Sequence, residues 1–299
     1  MRFLVTGAYG CIGAWTVAEL ARDGHDVVSF DLSDEPRRLR LVLDGELPRH
    51  VQGDITKAED VDRAFEGVTN VIHLAALQVP FVRANPRAGA QVNVLGTVNV
   101  FEEAKERGLP VVYASSIAAL DQDGGLVDPP STLYGAFKRA NEHTAKVYLA
   151  ENGVPSIGFR PHTVYGVGRD QGVTSAPTVA MLAAAAGAEY TIPYGGACQL
   201  QLARDVARAF IAASTSEIAG AEVHNLPGSR IAVEEIVAAI GSDRIGFDDV
   251  RLPFPEEVDG GSFAKLFPSF AETPLEEGVA ATVERFRQLL SEGKVTYEQ

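Results

Sequence analysis

A tyrosine and a lysine stand four positions apart in a stretch with helical periodicity. Tyr134 and Lys138 therefore lie one helical turn apart, on the same face. A free phenol has a pKa of about 10 and is almost wholly protonated at neutral pH. Because a nearby cation lowers such a pKa by about 1–3 units, the pair predicts a tyrosine that can accept a proton. Taken alone, the same two residues are more often a packing tyrosine and a solvated lysine.

Two serines follow a short apolar run that is typical of a buried strand. Ser115 and Ser116 come directly after Val111–Ala114. Ligands of open parallel sheets bind at the carboxyl ends of the strands, so a hydroxyl here can hold a substrate oxygen. The serines, the tyrosine and the lysine follow a glycine turn near the N-terminus in this order. The combination favours a catalytic role for Tyr134 and Lys138 over a packing tyrosine and a solvated lysine.

That glycine turn links the first strand-like run to the first helical pattern. Gly7, Gly10 and Gly13 are each three positions apart. Backbone without side chains can approach a pyrophosphate closely, and the amide groups and helix dipole meet its charge. A tight turn without a ligand is the alternative, and the place of the glycines at the first strand-to-helix turn argues against it.

An aspartate ends the second strand-like run, 18 residues after Gly13. There the Asp31 carboxylate can accept hydrogen bonds from ribose hydroxyls and repel a 2′-phosphate, which favours NAD over NADP. Arg37 and Arg38 keep NADP open, because a basic pair can fold back onto that phosphate. A purely structural turn aspartate is the other interpretation of Asp31.

The elements that must position these residues alternate between short apolar runs and longer amphipathic ones. This order predicts an α/β fold, a Rossmann-like doubly wound parallel sheet with right-handed crossovers. Residues 1–165 would form an NAD-binding Rossmann domain, with a strand and a helix contributed by later residues, and residues 166–299 a small substrate-binding lobe. Strands are predicted at residues 3–5, 27–30, 50–52, 71–74, 111–113 and 156–159, and helices at residues 12–22, 58–65, 90–107, 132–151, 177–186 and 274–288.

Composition narrows the class of protein. The 299 residues carry a formal net charge of −14, which repels nucleic acid and anionic lipid. Two cysteines, Cys11 and Cys198, cannot make a disulfide framework and suggest free thiols in a reducing compartment. Apolar runs fall short of the roughly 20 residues that span a bilayer, and a strand-like N-terminus leaves no room for a signal peptide. We therefore expect a cytoplasmic protein.

Several motifs resemble those of the extended short-chain dehydrogenase/reductase family, specifically its NAD-dependent epimerase/dehydratase group. They are TGAYGCIG at residues 6–13, GDI at 53–55, HLAA at 73–76, NVLGT at 93–97, YASS at 113–116, YGAFK at 134–138 and RPHTVYGVGR at 160–169. The resemblance implies an NAD cofactor, with Ser116 as the catalytic hydroxyl, Tyr134 as the acid/base and Lys138 as its partner. Combined with the reasoning above, the expected cofactor-binding residues are Gly7, Tyr9, Gly10, Cys11, Ile12, Gly13, Asp31, Asp54, Ile55, Leu74, Ala75, Ala76, Asn93, Ser115, Tyr134, Lys138, Pro161 and Thr163.

Departures from the family pattern concern the substrate. No acidic pair follows Ser116, which argues against dehydration, and residues 266–274 lack an Arg-x-Gly-Asp stretch. Sugar-nucleotide epimerases of the group carry an arginine seven positions before the aspartate that here is Asp205, where this chain has Cys198. The expectation is an NAD-dependent dehydrogenase acting on a small polar, sugar-like, non-nucleotide substrate. An NAD-dependent sugar epimerase with transient oxidation and a non-catalytic NAD-sensing protein are the alternatives.

The remaining expectations concern the substrate, metals and partners. Arg83 and Arg169, if they lie over the cofactor cleft, would suit a carboxylate or phosphate on the substrate. The alternative is that both arginines form surface ion pairs. The expected substrate contacts are Gln78, Arg83, Ser116, Arg169 and Gln201. No spacing suggests a metal site, and His73, His162 and Cys198 are expected to be structural.

The sequence also suggests a homodimer through a four-helix bundle, as the family resemblance implies. The helices at 90–107 and 132–151 carry apolar residues on more than one face, including Val98, Phe101, Val147 and Leu149.

Overall fold

A seven-stranded parallel sheet forms the centre of the molecule. The structure is a computed structural model that describes residues 1–297, apart from the side chain of Val173. Its strands are β1 (Arg2–Thr6), β2 (Asp26–Asp31), β3 (Arg49–Gln52), β4 (Asn70–His73), β5 (Val111–Ala114), β6 (Ser156–Arg160), β7 (Thr163–Tyr165), β8 (Tyr190–Ile192), β9 (Ala197–Leu202), β10 (Ala221–Asn225), β11 (Arg230–Ala232) and β12 (Ile245–Phe247). The central sheet has the order β10-β6-β5-β4-β1-β2-β3, which confirms the predicted doubly wound sheet.

Helices cover both faces of this sheet. They are α1 (Cys11–Arg22), α2 (Arg37–Val42), α3 (Ala58–Ala64), α4 (Val79–Ala84), α5 (Pro86–Ala90), α6 (Gly96–Arg107), α7 (Leu133–Asn152), α8 (Ala176–Ala186), α9 (Ala203–Ser214), α10 (Val233–Ile240), α11 (Gly261–Leu266) and α12 (Leu275–Ser291). Helices α1 and α9 pack together on one face, and α3, α6 and α7 lie on the other. Within residues 1–297, no helix combines the length and apolar character needed to cross a bilayer.

Strand β1 shows why the apolar runs are continuous rather than alternating. Phe3 and Val5 belong to the core beside α1 and α9, whereas Leu4 belongs to the core beside α6. Neighbouring residues of a strand point to opposite faces, so a strand buried on both faces needs an apolar residue at every position.

The second half of the chain contributes both to the central sheet and to a smaller lobe beside it. Strand β10 pairs with β6 at the edge of the central sheet, and α9 packs beneath β4 and β5. The rest forms a lobe around a small sheet of order β11-β9-β7 and the parallel pair β12-β8. The stretch 248–273 is largely irregular, as its prolines and glycines predict, and contains only the short helix α11 among its described elements.

The predicted continuous helix at residues 90–107 is wrong in detail. Helix α5 ends at Ala90, residues 91–95 form a π-helical turn, and α6 continues from Gly96. Asn93 lies in this turn, is buried, and exchanges hydrogen bonds with the backbone of Leu77: Leu77 N donates to Asn93 Oδ1 at 2.7 Å and Asn93 Nδ2 donates to Leu77 O at 2.9 Å. π-Helical turns within helices frequently mark functional sites.

Candidate active site

A cleft of about 450 Å³ opens between the carboxyl edge of the central sheet and the lobe. Its floor is the glycine turn after β1 and the chain that leaves β4, β5 and β6. Its outer wall comes from the lobe, between residues 161 and 256. Parallel sheets bind ligands at this edge because several strand ends and helix N-termini meet there.

The glycine turn leaves no room for side chains. Gly7 has φ +66°, and a Cβ on it would lie 2.7 Å from Ala75 N. A Cβ on Gly13 would lie 2.1 Å from Gly7 O. Helix α1 starts after Gly10 with no described side chain capping it, so the N–H groups of its first turn face the cleft without a partner inside the helix. Open backbone, unpaired amides and the positive end of the helix dipole fit a pyrophosphate.

Substitution of Gly13 by alanine tests this fit. Because the added Cβ would meet Gly7 O at 2.1 Å, the turn must move, and we expect the Kd for NAD to rise at least about tenfold in calorimetry. Gly246→Ala is the matched control, since its Cβ would have only Thr191 Oγ1 nearby, at 3.8 Å. Unchanged NAD binding in Gly13→Ala would remove the glycine turn from the cofactor site.

Asp31 lies at the end of β2 and holds the glycine turn in place. Its Oδ2 accepts a hydrogen bond from Tyr9 N at 2.9 Å, and its Oδ1 accepts one from Ser33 N at 3.1 Å. Asp31 is therefore a turn aspartate, as one of the two interpretations of the sequence expected. A carboxylate oxygen has room for two hydrogen bonds, so these contacts leave capacity for ribose hydroxyls.

Ser116, Tyr134 and Lys138 all line the cleft. Ser116 follows the end of β5, while Tyr134 and Lys138 lie in the first two turns of α7, which Thr132 caps by accepting from Gly135 N at 3.0 Å. Lys138 Nζ donates to Ala114 O at 2.7 Å and lies 5.8 Å from the centre of the Tyr134 ring. The predicted three residues are thus brought together at one strand end.

A glycine lets α7 approach the serine loop. A Cβ on Gly135 would lie 1.9 Å from Ala118 O, so only glycine allows this contact without a shift of the backbone. Gly135 therefore allows the helix that carries Tyr134 and Lys138 to lie against the loop at Ala118.

Burial and neighbouring charges set the protonation of the pair. The pKa of Tyr134 lies above its ordinary value, because burial raises it more than a hydrogen-bonding contact with Ser116 and the positive charge of Arg169 lower it. Burial lowers the pKa of Lys138 to about 8, and the negative charge of Glu142 acts in the opposite direction. Lys138 is therefore positively charged at neutral pH, and an ammonium beside a phenol favours the phenolate.

A buried ion pair lies directly below Lys138, and the sequence did not reveal it. Arg160 Nε and Nη2 donate to the two oxygens of Glu142 at 2.7 and 2.6 Å, and Ser115 Oγ donates to the same carboxylate. Arg160 Nη1 also donates to Asn225 Oδ1 at 3.2 Å. The only hint in the sequence is that Glu142 follows Lys138 by one further helical turn.

Arg169 is a cation in the outer wall of the cleft. Its Nη1 donates to Gln78 Oε1 at 3.3 Å and its Nη2 to Thr174 Oγ1 at 3.1 Å. Its Nε is buried and meets no acceptor among the described residues. A buried donor without a partner is costly, and an anionic ligand in the cleft can satisfy it.

The predicted cofactor-binding residues divide into two groups. The cofactor residues that line the cleft are Gly7, Gly10, Cys11, Ile12, Gly13, Leu74, Ala76, Ser115, Tyr134, Lys138, Pro161 and Thr163. Those that lie outside the lining are Tyr9, Asp31, Asp54, Ile55, Ala75 and Asn93. Asp54 Oδ1 accepts from Thr56 N at 2.9 Å, which orders the turn after β3.

Two predicted substrate contacts are not in the cleft. Arg83 is exposed on α4 and does not line it. Gln201 lies in the wall behind it, where its Oε1 accepts from His162 N at 2.8 Å and its Nε2 donates to Leu226 O and Pro227 O. Its carboxamide has the backbone as partner on both sides, so it shapes the wall. Gln78, Ser116 and Arg169 do line the cleft.

The histidines and cysteines have structural environments. Burial lowers the pKa of His73 to about 3 and that of His162 to about 4, so both are neutral. Burial raises the pKa of Cys11 and of Cys198 to about 11, which keeps both as thiols rather than nucleophilic thiolates. Among residues 1–297, no group of three or more His, Cys, Asp or Glu side chains could hold a metal ion.

Comparisons with known proteins concern the family and the fold of the chain. A model of the NAD dependent epimerase/dehydratase family matches residues 3–226. UDP-glucuronate 4-epimerase 3 of Arabidopsis thaliana is 33% identical over 181 residues, which cover 54% of this chain and 42% of that protein. The chain spans about half the length of the curated relatives it matches.

Two solved structures extend the likeness over nearly the whole chain. UDP-glucose 4-epimerase of Thermus thermophilus, solved with NAD, is 25% identical with a TM-score of 0.79, and the match covers 96% of this chain and 99% of that one. L-threonine dehydrogenase of Clostridium difficile is 20% identical with a TM-score of 0.84 and 99% coverage of both chains, which shows a shared fold.

Proposed function

This chain belongs to the NAD dependent epimerase/dehydratase family as an enzyme of the extended short-chain dehydrogenase/reductase type, and from that premise we propose the reaction it carries out. The reaction is oxidation of a secondary alcohol carbon in a small, polar, sugar-like acid that carries no nucleotide. NAD is the cofactor and, when bound, supplies the redox chemistry by accepting the hydride from that carbon.

The observation that carries the non-nucleotide proposal is the neutral side chain of Cys198, at the position where a diphosphate would need a cation. Cys198 is buried there. Gln199 is tied to the backbone, because its Nε2 donates to Gly228 O at 2.7 Å and Val258 O at 3.0 Å. Arg251 also lines the cleft, but its side chain is 79% exposed and lies 3.6 Å from Glu256, whose carboxylate pairs with Arg230 at 2.5 Å. A diphosphate would lose a charge-assisted contact of about 1.5–3 kcal/mol here.

Arg169 supports the acidic character of the substrate. Its unpaired Nε and its two polar neighbours form one anion-binding corner close to Tyr134. Arginine binds carboxylates through paired N–H groups. A matching relative is named for UDP-glucuronate, a sugar with a carboxylate, and we propose that this chain binds a carboxylate of the same kind without the nucleotide.

The residues of the cleft divide the proton transfer among them. The substrate hydroxyl lies between Ser116, which holds the oxygen, and Tyr134, which takes the hydroxyl proton as the alcohol becomes a ketone. Lys138 stabilises the phenolate by its positive charge, and its bond to Ala114 O fixes its position. After the ketone leaves, Tyr134 returns the proton to solvent.

A panel of substrates tests the proposal. Purified enzyme with NAD is incubated with sugar acids, the matching neutral sugars, other hydroxy acids and sugar nucleotides, and NADH absorbance and isomer formation are followed. We expect NADH to accumulate with an acid and not with its neutral analogue. Tight calorimetric binding of a sugar nucleotide would contradict the proposal, and NAD binding without turnover on any alcohol would favour a non-catalytic protein.

Arg169 provides a second measurement on the same substrate. We expect Arg169→Gln to raise KM for the acidic substrate about tenfold or more and to leave the Kd for NAD within about twofold, because a charge-assisted contact to the carboxylate is lost. Arg83→Gln is the matched control, since Arg83 lies outside the cleft. Equal effects of both changes would place the carboxylate elsewhere.

Epimerisation is the second candidate, since the matching relatives are named as epimerases. It needs the same serine, tyrosine and lysine, and differs only in that the hydride returns to the opposite face of the ketone. Isomer formation without net NADH in the panel would favour it.

We also propose a homodimer through the helices at the α6 and α7 face. Leu95, in the π-helical turn before α6, is 45% exposed, and Val147, in α7, is 49% exposed, a large fraction for apolar residues of helices. Phe101, expected to contribute, is instead buried in the core. Light scattering should give twice the mass of the chain, and Leu95→Glu with Val147→Glu should give a monomer. Val250→Glu, at an exposed residue outside these helices, should leave the dimer intact.

A further inference from the structure

We propose that Asp170 is a specificity-determining residue for the cofactor, because it holds Arg37 and Arg38 away from the 2′-position of the adenosine ribose. Both arginines follow the strand end that carries Asp31, and in the sequence they kept NADP open as a cofactor. The proposal concerns dinucleotide binding and does not depend on the identity of the substrate.

Arg38 lies at the glycine turn, beside the ribose-binding carboxylate. Arg38 Nη1 donates to Tyr9 O at 3.3 Å, while Asp31 Oδ2 accepts from Tyr9 N at 2.9 Å. The Arg38 guanidinium and the Asp31 carboxylate thus contact the carbonyl and the amide of Tyr9. A 2′-phosphate on a ribose bound by Asp31 would lie close to both charged groups.

Asp170 pairs with both arginines at once. Its Oδ1 accepts from Arg38 Nε at 2.8 Å, and its Oδ2 accepts from Arg37 Nη2. Arg38 is largely buried and Asp170 half-exposed, with side-chain exposures of 19% and 36%. The Asp170 carboxylate thus bridges the two guanidinium groups, takes one N–H donor from each, and sets a negative charge beside both.

The segment that carries Asp170 is docked firmly against the cofactor-binding helices. Trp15 Nε1 in α1 donates to Val167 O at 2.9 Å. A Cβ on Gly168 would lie 3.6 Å from Arg38 Cβ, so the stem of Arg38 packs against this glycine. Asp170 therefore stands at a fixed place above α2 rather than on a free loop.

The four charged groups balance one another without a ligand. Asp31 and Asp170 carry two negative charges, and Arg37 and Arg38 two positive ones. NAD brings a neutral ribose and leaves this balance intact. NADP would bring a phosphate that meets two carboxylates and finds its cations already paired, which disfavours its binding.

Calorimetry with NAD and with NADP, without substrate, tests the proposal. We expect Asp170→Asn to bind NADP at least about tenfold more tightly than the unmodified enzyme, the gain of one charge-assisted contact, and to bind NAD within about twofold. Arg38→Ala in the Asp170→Asn protein should remove the gain. Asp44→Asn, which removes the same charge from a surface pair with Arg285 at 3.6 Å, should change neither affinity.

Two results would overturn it. One is an Asp170→Asn protein that binds NAD normally and NADP no better than before. The other needs no change at Asp170: if Arg37→Ala, at a 57% exposed side chain, weakened NADP binding tenfold in the otherwise unmodified enzyme, that arginine would already contact the phosphate. Failure to bind either dinucleotide would instead count against the cofactor site itself.

Discussion

Replacement of Tyr134 by phenylalanine is expected to lower kcat for alcohol oxidation by about 10²–10⁴-fold, the usual contribution of a general acid/base. The change removes only the phenolic oxygen. Neither neighbouring nitrogen group takes its place at neutral pH. Lys138 Nζ donates to Ala114 O, and burial lowers the pKa of His162 to about 4 while its Nε2 bonds to Pro255 O. The Kd for NAD should stay within about threefold, since the ring remains.

Tyr148→Phe is the matched control for this variant. Tyr148 lies on the same helix, and its hydroxyl donates to Glu102 Oε1 at 2.6 Å on the surface side, so its loss should leave kcat unchanged. Retention of a tenth or more of the activity in Tyr134→Phe would assign the proton transfer to another group, in either a dehydrogenase or an epimerase.

Replacement of Glu142 by glutamine is expected to lower the free energy of unfolding by about 3 kcal/mol, because a buried guanidinium is left without its counter-charge. Arg160 and Glu142 have side-chain exposures of only 9% and 5%, so water cannot replace the lost carboxylate. The midpoint of urea unfolding, followed by the fluorescence of Trp15, measures the change.

The same substitution has a second readout that packing alone would not alter. The negative charge of Glu142 raises the pKa of Lys138, so its removal should lower that pKa further below about 8. Lys138 would then lose its proton at lower pH, and the alkaline decline of kcat/KM should move in the acid direction.

Glu284→Gln is the control for stability. Glu284 pairs with Arg287 at 3.3 Å with both side chains 59% exposed, and such surface pairs contribute about 0–1 kcal/mol. A loss below about 1 kcal/mol in Glu142→Gln, or an unchanged pH profile, would mean that the buried pair neither stabilises the fold nor acts on Lys138.

Much of the fold could be predicted because its signals are local. The continuous apolar runs located the strands of the central sheet, and Gly108 and Gly153 end α6 and α7 where the sequence placed these ends. The strands β7, β9, β11 and β12 were missed, since each is stabilised by partners distant in sequence. Residue 163 pairs with residue 200, for example.

Side-chain partners were the harder part of the site. Ser116, Tyr134 and Lys138 could be found because chemistry and spacing coincide in them. Gln201 was misplaced because its partners are backbone carbonyls 25 and 26 residues further along. The π-helical turn escaped prediction, and the buried residue in it, Asn93, bonds to the loop at Leu77, 16 residues away. Hydrogen bonds between distant parts of the chain leave no periodic pattern in the sequence.

Strand β10, at the edge of the central sheet, limits where this chain can be joined to segments of a relative in a chimeric protein. Because β10 pairs with β6, and α9 covers the sheet beside α1, a fragment that stops at residue 165 would expose an unpaired strand edge and an apolar helix face. A chimera that borrows a new lobe from a relative must therefore keep residues 203–225 with the dinucleotide domain. The junctions belong in the irregular chain outside that block, where segments for a different substrate can be inserted while the cofactor site stays whole.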